Sequence, residues 1–284
     1  MKSTGLLIAC LFLFAIGFGQ QKPAYILYNA KGKKIGYEKM IRILQDKDIV
    51  LFGEFHNNPI SHWLQLEVTT DLKEKRNLVM GAEMFEQDNQ NALDLYVSGK
   101  IKAKELDSTA RLWKNYPTDY APLVNFAKEN QIHFAATNVP RKYAAMVSKG
   151  GFEALDSVSA KEKSWIAPLP IAYDPELPGY KKMLEMMGGH SGVNLPKAQA
   201  IKDATMAYFI LQNYTPGSLF IHFNGSYHSD NYEGILWHLK NKRPELHYGT
   251  ITTVSQKDIS KLLAENIGRA DFIICVPDDM TTTY

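Results

Sequence analysis

The chain has 284 residues, 45% of them hydrophobic and 22% charged, an ordinary globular composition with enough apolar surface for one large core. Its 32 basic and 30 acidic residues leave a formal net charge of +2. With no long basic block or polar low-complexity stretch, the chain carries no electrostatic footprint for nucleic acid as a partner.

At the start of the chain, Lys2 precedes an apolar run over residues 6–18, and the small residues Gly17 and Gly19 flank Phe18 ahead of Gln20. This is the pattern of a secretory leader, residues 1–19, leaving residues 20–284 as a single exported domain. Leu7-Ile8-Ala9-Cys10 resembles a lipoprotein cleavage box, but Cys10 sits within the apolar run, so the later cleavage site is better placed. The expected location is the periplasm, or a membrane surface if the chain is lipidated. After cleavage Cys275 is the one remaining cysteine, expected as a buried thiol in a strand, so stability must come from the core and not from an internal disulfide.

Short apolar runs at 49–52, 78–80, 132–136, 219–223, 248–252 and 272–276 suit buried strands. Amphipathic stretches alternate with most of them. One at 61–75 comes after Asn58-Pro59, a capping residue with proline in the first turn, and others lie at 119–130 and 231–241. Strand and helix in alternation predict an α/β fold, a mainly parallel central sheet with helices on both faces. The interval 141–216 breaks the rhythm with Ala167-Pro168-Leu169-Pro170, Leu177-Pro178-Gly179 and Gly188-Gly189-His190-Ser191-Gly192, between helical stretches at 180–187 and 197–213. It reads as a helical insertion over the carboxyl ends of the strands, able to cap a crevice.

Four polar motifs each come directly after one of the apolar runs: Gly53-Glu54-Phe55-His56, Gly81-Ala82-Glu83, Thr137-Asn138 and Gly225-Ser226-Tyr227-His228. In an open parallel sheet such strand ends converge on one crevice. Glu54 and His56 are two residues apart, so extended backbone puts both side chains on one side, and His62 lies in the first turn of the next helix. With Glu83 and His228 these residues form a mixed carboxylate and imidazole set, suited to a divalent metal ion or to acid and base chemistry. Each has a plainer role when taken singly, as a hydrogen-bonded core residue beside a glycine turn; the recurrence at successive strand ends favours a site. His133 and His222, inside strand segments, are expected to be buried and hydrogen-bonded, while His238 and His247 look peripheral. His190, in the glycine-rich stretch, is equally open to a solvated or a functional role.

Taken together, Leu51-Phe52-Gly53-Glu54-Phe55-His56-Asn57-Asn58-Pro59 with His62, Gly81-Ala82-Glu83-Met84-Phe85, Asp119-Tyr120-Ala121-Pro122-Leu123, Ala136-Thr137-Asn138-Val139-Pro140-Arg141, Lys202-Asp203-Ala204-Thr205-Met206-Ala207 and Asn224-Gly225-Ser226-Tyr227-His228 resemble the ChaN-like haem-binding family of iron-regulated exported proteins and lipoproteins. The resemblance implies an α/β fold, a role in haem or iron acquisition, and a haem held by a tyrosine oxygen and basic side chains. It also implies a possible homodimer around haem and an outer-membrane haem transport partner. The motifs do not contain the ligand, which points to the insertion: Tyr180, preferred for its neighbours Lys181 and Lys182, or Tyr173, with His190 close by. Met183, Leu184, Met186 and Met187 are available to a porphyrin face. The rival for Tyr180 is a tyrosine that caps the core. The same strand-end elements also resemble the wider superfamily of erythromycin esterases and TraB/Tiki proteins. That likeness implies an alternative, hydrolysis in which Glu54, His56, Glu83 and His228 bind a divalent cation, with His62, or activate water directly.

Overall fold

The computed structural model describes residues 22–186 and 192–284. The expected leader with Cys10, and Met187 and His190 of the insertion, lie outside the described residues. Within the described residues, seven strands form one sheet: β1 (Ile26–Asn29), β2 (Ile49–Glu54), β3 (Leu78–Glu86), β4 (Phe134–Asn138), β5 (Leu219–Gly225), β6 (Tyr248–Gln256) and β7 (Phe272–Pro277). The helices there are α1 (Tyr37–Leu44), α2 (Pro59–Lys73), α3 (Gln90–Val97), α4 (Ala103–Thr109), α5 (Ala121–Glu129), α6 (Arg141–Gly150), α7 (Ala160–Lys163), α8 (Pro178–Met186), α9 (Leu195–Asn213) and α10 (Ile235–Lys242).

Strand order is β1-β7-β6-β2-β5-β3-β4, parallel throughout except for β1, which runs antiparallel to β7. β2 and β5 lie in the middle and every residue of both is buried, which explains the apolar runs Ile49-Val50-Leu51-Phe52 and Leu219-Phe220-Ile221 with which they begin. Alternation divides the side chains between two layers. Val50 and Phe52 join Leu64, Val68 and Leu72 of α2 and Val124 of α5 on one face. Ile49 and Leu51 meet Met206 and Ile210 of α9 and Leu236 and Leu239 of α10 on the other.

The expected strands are all present, and β1 is an addition that the sequence reading lacks: four residues are too short for a period to show. Asn58 caps α2 by accepting from the Ser61 amide at 2.9 Å, with Pro59 in the first turn. Cys275 is buried in β7. Two histidines depart from expectation. His133 precedes β4 on an outward-facing position and is exposed, bonded to Asn213 at 2.8 Å. His238 is buried on the inner side of α10, with no hydrogen-bond partner for Nε2.

Within the interval between β4 and β5, α9 is a crossover helix that covers a sheet face, while α6 packs on its far side through Tyr143, Val147 and Ile201. The shorter α8 reaches the strand ends. The Gly179 amide donates to Glu233 at 2.8 Å and its carbonyl accepts from the Tyr227 hydroxyl at 2.7 Å, which ties α8 to the turn beyond β5.

β4 is an edge strand, and two glutamines occupy its free groups. Gln90 accepts from the Ala136 amide at 2.6 Å and donates to the Phe134 carbonyl at 3.0 Å, while Gln87 donates to the Ala136 carbonyl at 3.0 Å. Side-chain amides thus stand where a further strand would pair. Replacing Gln90 by alanine should cost roughly 1–2 kcal/mol in denaturant unfolding and increase self-association on sizing columns. Unchanged stability and unchanged elution would show that the edge needs no such cover.

Candidate functional site

Parallel pairing puts the strand ends side by side: Glu54 of β2 is opposite Gly225 of β5, and Ala82 of β3 is opposite Phe223. Beyond Ala82 the pairing of β3 with β4 shifts register before resuming at Glu86 and Asn138, and Glu83 lies in that irregular stretch. Thr137 and Asn138 brace it by donating to the carbonyls of Ala82 and Glu83 at 2.9 and 3.0 Å. His222 contacts Thr137 at 2.7 Å and Asn224 at 3.2 Å, and burial pushes its imidazole down to about 4, so it is a neutral support, as expected of a core histidine.

The first cluster centres on Glu54, which is buried. One oxygen contacts His56 Nδ1 at 2.8 Å and accepts from the Tyr120 hydroxyl at 2.8 Å, and the other accepts from Gln65. His62 lies behind it, with Nδ1 3.6 Å from Glu54 and Nε2 3.6 Å from Asp119. Its Nε2 also contacts the His56 carbonyl at 3.1 Å, which Asn115 reaches at 3.0 Å. Asp119 and Tyr120 end a π-helical turn, Tyr116–Tyr120, from which Asp119 faces His62 and Tyr120 reaches Glu54. Burial and the Glu54 charge push the Tyr120 phenol well above its ordinary value, so it remains a donor.

The second cluster centres on His228, also buried. Nε2 is 3.1 Å from Glu83 and Nδ1 is 2.5 Å from Asp203 of α9, and Gln199 lies 2.8 Å from Nδ1. Glu83 further accepts from the Gly225 amide at 2.7 Å, and Asp203 from the Tyr180 hydroxyl at 3.3 Å. Burial opposes charge on this pair, but each partner outweighs it. The two carboxylates raise His228 to about 10, and the imidazolium holds Glu83 far below the usual carboxylate range.

The clusters meet at Gly225. Its backbone, φ −56° and ψ 137°, is open to any residue, so the glycine is there for space. A Cβ on it would lie 2.8 Å from His56 Nε2 and 3.5 Å from Glu83 Oε2. His56 is the accessible member, its side chain 34% exposed with an edge-on Trp113 at 4.9 Å. Burial lowers its proton affinity, but the Glu54 hydrogen bond and the charges of Glu83 and Glu54 raise it above ordinary histidine overall. A carboxylate that orients Nδ1 while Nε2 fills the niche left by the missing Cβ of Gly225, close to Glu83, is an arrangement for taking up or delivering one proton.

Glu54, His56, His62, Glu83 and His228 are therefore brought together as two adjoining sets. They pair with one another, and among the described residues no three His, Cys, Asp or Glu side chains are arranged to hold a metal ion. Gln65, Asn115, Asp119, Tyr120 and Asp203 also belong to the site and escaped the sequence reading. Asp119, Tyr120 and Asp203 stand inside motifs already singled out, and Gln65 is one helical turn after His62, a spacing that faces both to the same side. In the insertion, Tyr180 is buried with its hydroxyl directed at Asp203. Tyr173 stacks on it at 5.4 Å and is half-buried, with Phe152 edge-on at 5.8 Å. Lys181 is exposed and paired with Glu176 at 2.5 Å, and Lys182 is exposed.

This geometry can be tested at the niche and at the buried imidazolium. Gly225→Ala should displace the His56 ring, visible as shifted His56 imidazole resonances, and cost roughly 1–3 kcal/mol through overpacking; unmoved resonances would show that the niche is not confined. His228, with a folded value near 10 against 6.5 unfolded, contributes stability that is complete below pH 6.5 and lost as pH rises toward 10. Glu83 adds stability present above pH 4.5 and lost as pH falls. Urea unfolding of wild type should weaken across pH 7–10, and His228→Gln should flatten that slope; equal slopes would refute the charged clamp.

Residues 40–239 match the family described as haem-binding uptake, Tiki superfamily, ChaN. Among curated proteins no sequence match is found. Among solved structures, ChaN of Campylobacter jejuni, described with cofacial haem binding, is 20% identical and superposes with a TM-score of 0.65 over 88% of this chain and 96% of its own. A mutant of the erythromycin esterase EreC in its open conformation is 10% identical, with a TM-score of 0.52 over 88% of this chain and 97% of its own. These two likenesses show a shared fold, and the match across residues 40–239 shows that the chain belongs to the ChaN haem-binding family of the Tiki superfamily.

Proposed function

We propose that this protein is exported and binds haem in haem or iron handling. The observation that carries the reading is the family match across residues 40–239. The leader pattern at residues 1–19 supports export to the periplasm or a membrane surface, and the cofacial haem described for the Campylobacter protein supports a homodimer with haem between its subunits. An outer-membrane transport partner would then deliver or accept the haem.

The insertion offers residues that fit such a ligand. Haem supplies a ferric iron for which a tyrosine oxygen is a suitable ligand. Tyr180 donates its hydroxyl to Asp203 from a buried position, and burial with the Asp203 charge pushes its phenol far above the ordinary value, so it fits the role of core brace. Tyr173 stands at the surface of the same aromatic stack and is the better candidate. Half-buried Met183 and Leu184 provide apolar surface, and the exposed Lys182 provides a cation for a propionate. Adding haemin to the purified chain should give a Soret band displaced from that of free haemin. Tyr173→Phe should shift or abolish it, and Tyr180→Phe should leave it in place. A band identical to that of free haemin in wild type would end the haem reading, and a displaced band altered by Tyr180→Phe alone would return the ligand role to Tyr180.

One specific observation favours a second reading, acid and base hydrolysis: Glu54 orients His56 while Nε2 faces the niche at Gly225. In it His56 takes a proton from water beside Glu83, the Glu54 carboxylate stabilises the imidazolium that forms, and Tyr120 holds Glu54 in place. A divalent cation would instead draw on Glu54, His56, His62, Glu83 and His228 after rearrangement of their present pairs. Ester hydrolysis lost in both His56→Ala and Glu54→Gln, with haem binding intact, would establish a hydrolytic site separate from the haem site. Elemental analysis of the untreated protein decides whether a metal takes part.

A further inference from the structure

We propose that residues 278–284 form a strap across the carboxyl ends of the sheet that fixes the His56 turn, and that Thr283 is a positioning residue for the first cluster. The inference concerns the geometry of the cluster and holds for either ligand or reaction.

Topology sets the path. β7 is separated from β2 by β6, and all three run parallel, so their carboxyl ends lie along one edge. Two strand spacings are about 10 Å, within reach of six residues at roughly 3.4 Å each. The segment leaves β7 with the Asp278 amide on the Gln256 carbonyl at 3.3 Å, then turns with the Met280 amide on Pro277 at 3.2 Å. It arrives at β2, where the Thr283 amide donates to the Asn57 carbonyl at 3.0 Å and the hydroxyl donates to Asp119 Oδ2 at 2.7 Å.

Both acceptors belong to the shell of His56. Asn57 is the next residue in the chain. Asp119 Oδ2 also accepts from Asn115 at 2.7 Å and lies 3.6 Å from His62 Nε2. Asn115 and His62 in turn both reach the His56 carbonyl. Thr283 therefore closes a ring of polar contacts from the side that faces away from the core: Thr283 to Asp119, Asp119 to Asn115 and His62, both to His56, and Asn57 back to Thr283. Asp119 is only 3% exposed, so the strap also completes the enclosure of a carboxylate whose partners would otherwise compete with water.

The test uses the full chain with Thr283→Val and Thr283→Ser, read by amide hydrogen exchange with mass spectrometry. Thr283→Val keeps size and amide but removes the hydroxyl donor; Thr283→Ser keeps the donor. In the valine variant, exchange in segments 55–62 and 113–120 should quicken roughly fivefold, the size of one lost hydrogen bond, while the β5 segment 219–225 is unchanged. The serine variant should match wild type. Unchanged exchange at 55–62 and 113–120 in the valine variant would overturn the proposal. So would an equal rise in β5, which would mean general loosening, or a serine variant that behaves like valine.

Discussion

The site rests on one constraint: Glu54, Asp119, Glu83 and Asp203 are all buried, and a buried carboxylate persists only when paired and hydrogen-bonded. The protein meets this by alternation. Asp119, His62 and Glu54 form one series, Glu83, His228 and Asp203 a second, and His56 stands between Glu54 and Glu83 as their junction. Each imidazole lies between two acids, and only the end acids, Asp119 and Asp203, depend on a single imidazole, His62 and His228 respectively. The partners of these acids come from separate segments: the ends of β2, β3 and β5, the start of α2, the π-helical turn and the middle of α9.

Much of this was legible in the sequence because a parallel sheet imposes a rule. Apolar runs as clear as Ile49-Val50-Leu51-Phe52 announce buried strands, and the polar residues just beyond each run fall at the same edge of the sheet. Glu54, His56, Glu83 and His228 were found that way. The second acid of each series was not, because Asp119 and Asp203 come from a helical turn and from the interior of a helix, where no strand end marks them. Asp203 sits among buried Ala200, Ile201, Ala204 and Met206, so its burial arises from α9 packing on the sheet, which is a tertiary fact. His238 and His133 exchanged their expected environments for a similar reason. The first faces inward on α10, and the second falls just before the strand begins, where the alternation has not yet started.

Glycine placement shows how the niche is kept open. Gly53 lies where a Cβ would be 2.9 Å from the Ser226 backbone, so β2 and the turn after β5 approach closely only because that atom is missing. Gly225 does the same for side chains, leaving room for the His56 ring beside Glu83. Neither has a backbone conformation that demands glycine in its own right: β2 is extended at Gly53, and Gly225 has an ordinary negative φ. Space, not chain flexibility, is what these two positions supply, and it is supplied at the point where the two series meet.

That junction also bears on how the insertion and the sheet edge relate. Tyr180 donates to Asp203, Asp203 faces His228, His228 faces Glu83, and Glu83 borders the niche of His56. A run of polar contacts therefore leads from the aromatic stack of Tyr173 and Tyr180 to Glu83, whose charge in turn acts on the accessible imidazole of His56. Any ligand that displaces Tyr180 from Asp203 would remove a donor from an acid that already faces a buried imidazolium, and the balance of charge along the series would change with it.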